Sequence, residues 1–92
     1  MANHDAEIIS VLNEMYGEEF YVDRRERGRL PLYITEDKKF SFEIKADFIG
    51  SQEYKEPLNI RLKKILQRKN LNERKHYVID GNETISLYQQ VN

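Results

Sequence analysis

Lys39-Phe40-Ser41-Phe42-Glu43-Ile44-Lys45-Ala46-Asp47-Phe48 alternates strictly, with Phe40, Phe42, Ile44, Ala46 and Phe48 on one side and Lys39, Ser41, Glu43, Lys45 and Asp47 on the other. A period of two across ten positions predicts a β-strand with one buried face and one solvated face. Two further strands precede it. Glu19–Asp23 places Phe20 and Val22 against Glu19, Tyr21 and Asp23, and Arg29–Thr35 points Leu30, Leu32 and Ile34 inward. Pro31 has no amide to give a ladder, so it favours a strand start or an edge. Arg24–Gly28 and Glu36–Lys38 are short enough to close hairpins, so the three strands read as an antiparallel meander.

Helices flank this meander. Ile8, Ile9, Val11, Leu12, Met15 and Tyr16 share one arc at helical spacing over residues 5–16, with Gly17 as the stop. Asn3 or Asp5 is placed to cap the start, and Asp5 and Glu7 suit the positive end of the helix dipole. After a polar loop over residues 50–56, Pro57 opens a second helix whose stripe is Leu58, Leu62, Ile65 and Leu66, ending near Asn70. Residues 74–79 and 84–91 then read as a hairpin about Asp80-Gly81-Asn82. The expected fold is a single two-layer α+β domain over residues 1–92. Its order is helix, three antiparallel strands, helix and β-hairpin, with both helices on one face of the sheet. That sheet buries Phe20, Val22, Leu30, Leu32, Ile34, Phe40, Phe42, Ile44 and Phe48, leaving Tyr21, Tyr33, Glu43, Lys45 and Asp47 on the open face.

Composition excludes several functions. The 92 residues contain no cysteine, which removes disulfide scaffolds, thiolate metal sites and thiol nucleophiles. No apolar run reaches the roughly 20 residues of a membrane span, and the first five residues lack the features of a signal peptide. A soluble cytoplasmic protein without membrane contact is expected. Its formal net charge of -1 sets up no global field, yet the charges are segregated. Residues 1–22 hold five carboxylates and no Lys or Arg, whereas residues 61–75 hold seven Lys or Arg against Glu73 alone.

The candidate binding residues follow from that segregation. Arg61, Lys64 and Arg68 are spaced i, i+3, i+7, a row along one side of the second helix able to meet successive phosphates of DNA or RNA. Arg74 and Lys75 continue it into the hairpin, loosely like the recognition helix and wing of winged-helix proteins. The turn carrying Arg24, Arg25, Arg27 and Arg29 is rich in guanidinium, which suits anions and carboxylates. Solvation alone also accounts for such groups, because an amphipathic helix needs a polar face and a hairpin loop is exposed. The rival expectation is a protein-binding adaptor or inhibitor, and a homodimer. It would use the acidic helix or the strand tyrosines Tyr21, Tyr33, Tyr77 and Tyr88, with a lightly charged last strand open to a second copy. A basic helix lying beside the acidic one would neutralise itself and favour the adaptor.

Enzymatic chemistry finds little support. The order helix–three strands–helix–strand, with Pro31-Leu32-Tyr33-Ile34 before Phe42-Glu43-Ile44-Lys45 and Glu14 on the first helix, resembles the core of PD-(D/E)xK nucleases over residues 5–79. That resemblance implies a carboxylate cluster holding Mg²⁺ to activate water. The chain departs from the pattern because Leu32 stands where the family's metal-binding Asp belongs. Acid-x-Lys triplets also start at Glu36, Asp37, Glu43, Glu53 and Glu73, so the triplet itself identifies nothing. His4 and His76 are the only imidazoles, and Gly17, Gly28, Gly50 and Gly81 are too scattered to cradle a phosphate. The expectation is a non-enzymatic protein without metal or cofactor, or, more distantly, a degenerate nuclease-like domain.

Overall fold

The computed structural model describes residues 4–50 and 56–89. Over these the chain runs α1 (Asp5–Tyr16), β1 (Phe20–Asp23), β2 (Leu32–Thr35), β3 (Ser41–Ile44), α2 (Ala46–Ile49), α3 (Leu58–Lys69), β4 (His76–Ile79) and β5 (Ile85–Leu87). The helices pack on one side of a five-stranded mixed sheet of order β1-β2-β3-β4-β5, the α+β class expected. β1, β2 and β3 form the antiparallel meander, and β4 and β5 the hairpin. The two units join through β3 and β4, which pair in parallel with Ser41 opposite His76 and Phe42 opposite Tyr77. A parallel neighbour requires a crossover, and α2 and α3 provide it across the helical side of the sheet.

The apolar arcs of α1 and α3 meet over the sheet. Ile8 and Leu12 from α1, Leu62, Ile65 and Leu66 from α3, and Phe42, Ile44 and Ile79 from the sheet are almost wholly buried in one cluster. Its aromatic end joins Tyr16, Phe20, Phe40, Phe42 and Tyr77. Tyr16 meets the Phe40 ring edge-on at 4.9 Å between centroids, and Phe42 stacks on Tyr77 at 5.5 Å. Burial of Tyr16, with the neighbouring Tyr77, pushes its phenol up to about 12. α1 ends as expected on Gly17, whose positive φ of 65° places its amide on the Asn13 carbonyl. The Asp80-Gly81-Asn82 turn is closed by Asp80 Oδ1, which accepts from Asn82 N and Thr84 N.

Four expectations are corrected. The long alternating strand stops at Ile44, and Ala46–Ile49 turns into the short helix α2. Phe48 is still buried, but it reaches the core from a helical turn four residues after Ile44, a spacing that suits a helix as well as a strand. The second correction is the face of β2. Tyr33 pairs with Phe42 and Val22 and lies in the core, 2% exposed, whereas Leu32 and Ile34 lie on the other face of the sheet, where Ile34 is still buried as expected and Leu32 is half-buried. Inside, the Tyr33 hydroxyl donates to Asp5 Oδ1 at 2.7 Å, and the other Asp5 oxygen takes the Arg24 guanidinium. Asp5 therefore does not cap α1 in solvent. It is buried, and His4 occupies the cap position without a side-chain cap bond. Third, Tyr77 also faces the core, leaving Tyr21 and Tyr88 as the exposed strand tyrosines. Fourth, the strands are shorter than expected, β5 covering Ile85–Leu87, while Asn3, most of the 50–56 loop and residues 90–92 lie outside the described residues.

Candidate functional site

Arg61, Lys64 and Arg68 do not form one row. Arg61 is 7% exposed and turns inward under α2, where Nη1 donates to the Phe48 carbonyl at 2.8 Å and Nε to the Glu56 carbonyl at 3.3 Å. Its guanidinium sits 5.0 Å above the Phe48 ring, so its charge fastens α2 to α3. Lys64 and Arg68 are exposed, and each is paired with a carboxylate, Lys64 with Glu56 at 2.6 Å and Arg68 with Glu83 at 3.1 Å. The basic helix also lies directly against the acidic one. Lys63 Nζ meets Glu14 at 2.7 Å, and Glu7 Oε1 accepts the Asn59 amide at the start of α3.

Arg74 and Lys75 lie before β4. Arg74 holds Glu18 through Nε and Nη2 and reaches Asp37 at 2.7 Å, while its guanidinium covers the Phe40 ring at 5.8 Å. It thereby ties the end of α1, the β2–β3 turn and the entry to β4 together. Asp37 also accepts from the Lys39 amide and the Thr35 hydroxyl, and with Arg74 these bonds lower its carboxyl to about 2. Lys75 pairs with Glu73 at 2.7 Å, each holding the other in its charged form.

The arginines of the β1–β2 loop take separate directions. Arg24 goes to buried Asp5. Arg25 crosses the open sheet face to pair with Glu43 and donates through Nε to the Leu30 carbonyl at 2.9 Å. Arg29 reaches Tyr88, donating to its hydroxyl at 3.2 Å, and Arg27 is exposed with no acidic partner among the described residues. Arg25 and Arg29 therefore stand on the side of the sheet opposite α3. The structure disperses the predicted cations rather than uniting them, and most are balanced by a carboxylate.

Sequence reasoning missed the cleft that the loop builds on the open face. It encloses about 300 Å³ and is lined by Arg25, Arg29, Leu32, Ser41, His76, Tyr77 and Tyr88. Ser41 and His76 are register partners on the parallel β3–β4 pair, so their side chains emerge side by side, with Ser41 Oγ 2.6 Å from His76 Nδ1. Tyr88 N donates to the His76 carbonyl at 2.8 Å, which sets Tyr88 next to His76. Ser41 is fully buried and His76 exposed, so this pair presents an imidazole to the cleft and keeps the hydroxyl behind it. Only the parallel pairing unites the residues, and no local pattern in the sequence signals it. A second, more open groove runs between α1 and β1, lined by Ala6, Ile9, Ser10, Phe20 and Val22 among others.

The residues that resemble the nuclease motif do not assemble. Glu43 on the open face carries Arg25, Leu32 offers it no oxygen, and Glu14 lies in the helical layer paired with Lys63. Among the described residues no group of three His, Asp or Glu side chains is placed to hold a metal, and no helix is long and apolar enough to cross a membrane. No protein-family model, curated protein or solved structure matches this chain.

Proposed function

We propose that this domain is a non-enzymatic recognition module that binds a protein partner through its open sheet face. The observation that carries this reading is the placement of α3 against α1, where Glu14 and Glu7 sit on Lys63 and the Asn59 amide. Nucleic-acid affinity comes chiefly from uncompensated cations along one face. Here Arg61 is buried, and Lys63, Lys64 and Arg68 each pair with a carboxylate. Exposed ion pairs are weak, worth about 0–1 kcal/mol each, but the long-range field still sums toward zero. The open face has the opposite character. Tyr21 and Tyr88 are exposed, Leu32 and Val78 are half-buried, and Arg29 lies at its rim. Such a mixture of aromatic area and guanidinium is enriched at protein interfaces.

A peptide library displayed against the whole chain tests the proposal. It should enrich sequences whose binding is lost in the Tyr21→Ala, Tyr88→Ala double variant while the melting temperature is kept. Low-micromolar binding of duplex or single-stranded oligonucleotides at about 50 mM salt, abolished by Lys64→Glu with Arg68→Glu, would overturn it in favour of nucleic acid. The same reading includes a homodimer that extends the sheet at β5, an outer strand of three residues whose Leu87 is half exposed. Light scattering at high micromolar concentration should give the mass of a dimer, and Leu87→Lys that of a monomer. A monomeric native chain would remove the dimer from the proposal.

A further inference from the structure

The cleft under the β1–β2 loop contains two arginines and a histidine in its lining and no carboxylate. Arg25 is already balanced by Glu43, so Arg29 supplies the net positive charge. Its exposed neighbour Glu26 lies 3.8 Å away, an ion pair easily exchanged for another anion. The Tyr88 hydroxyl accepts from Arg29, and its own proton has no acceptor among the described residues. The Ser41 contact holds His76 through Nδ1 and leaves Nε2 for another partner. A guanidinium, a phenol O–H and an imidazole thus belong to the lining of one small void.

We propose that this cleft binds the phosphoryl group of a phosphate monoester. Three donor groups around one void match three terminal oxygens, whereas a carboxylate offers two. Leu32 gives the cleft an apolar part for the carbon that carries the phosphate. Arg25, clamped by Glu43 and the Leu30 carbonyl, holds the loop so that Arg29 remains over the cleft. This inference rests on the open face as the recognition surface and specifies the group recognised there.

Titration of the ¹⁵N-labelled full chain tests it. The probes are phenyl phosphate, phosphoserine, a phosphoserine peptide and its unphosphorylated twin. The three phosphorylated probes should shift the amides of Ser41, His76 and Tyr88 in a saturable way. Arg29→Gln should weaken each by about tenfold or more, the loss of one charge-assisted contact, without a change in melting temperature. A peptide that binds far more tightly than phosphoserine assigns the phosphate to a protein partner, and equal affinities assign it to a small molecule. Absence of shifts with every phosphorylated probe, or binding undiminished in Arg29→Gln, overturns the inference. If phosphate fails while unphosphorylated library peptides still bind the open face, only the phosphate inference falls. If phosphate binds and no peptide is selected, the protein-partner reading falls and the phosphate site stands.

Discussion

Asp5 has traded solvent for two partners. A carboxylate with almost no exposure is tolerable only when its oxygens are satisfied, and Tyr33 and Arg24 satisfy one each. Burial, and the bond to Asp5, push the Tyr33 phenol well above its ordinary value. Tyr33→Phe removes the donor and leaves an Asp5 oxygen buried without it. It should cost about 1–3 kcal/mol in urea unfolding, despite the better apolar match of Phe to the core. Asp37 offers a separate test. Its carboxyl lies near 2 in the folded chain against an ordinary 3.8, so folding favours the ionised form. That contribution is present above about pH 4 and is lost as pH falls through 2. Asp37→Asn should therefore show a flatter loss of stability than the native chain between pH 4 and 2, measured by thermal melting. Parallel pH profiles would show that Arg74, Thr35 and the Lys39 amide do not favour the charged carboxylate.

The elements differ in how openly the sequence announces them. α1 and α3 were legible because each carries a single apolar arc, and Phe40, Phe42 and Ile44 were legible because their alternation has one apolar side. β2 was not, since Leu32-Tyr33-Ile34-Thr35 offers a plausible core set on either face. The choice is made by Asp5, distant in sequence, which needs the Tyr33 hydroxyl inside. α2 escaped for a similar reason. Ile44 and Phe48 satisfy both periods, and the tie is resolved by Arg61 gripping the Phe48 carbonyl from α3. The candidate cations are visible in the sequence as a charged set, but their pairings depend on partners that spacing along one helix cannot reveal. Arg61 and Lys64, one turn apart, should behave differently on truncation. Arg61→Ala strands the Phe48 and Glu56 carbonyls and should cost about 2–3 kcal/mol, whereas Lys64→Ala should stay within about 0.5 kcal/mol. Urea midpoints measure both, and equal effects would mean that Arg61 does not fasten α2.

At the scale of the molecule, the parallel β3–β4 seam imposes an order of assembly. The β1–β2–β3 meander closes through the local loops 24–31 and 36–40, but β4 reaches β3 only after α2 and α3 have passed across the helical side of the sheet. Local pairings carry a small entropic cost of closure, and the long crossover must be laid down before its contacts repay it. The meander with α1 should thus be substantially formed at the folding barrier, with β4 and β5 joining on the downhill side. Ile34→Val, in the meander, should slow folding and change unfolding little, while Ile79→Val, at the seam, should chiefly accelerate unfolding. Chevron plots distinguish the two, and the reverse pattern would place the seam in the nucleus. The same order has a consequence for the open-face cleft. His76 belongs to the late-joining β4 and Tyr88 directly follows β5, whereas Arg25, Arg29 and Ser41 belong to the meander region. The two halves of the cleft are therefore assembled at different times, and a chain that has folded as far as its meander carries the arginines but not the opposing wall. Ligand that needs both halves would bind after the barrier and lengthen the lifetime of the native state without hastening its formation.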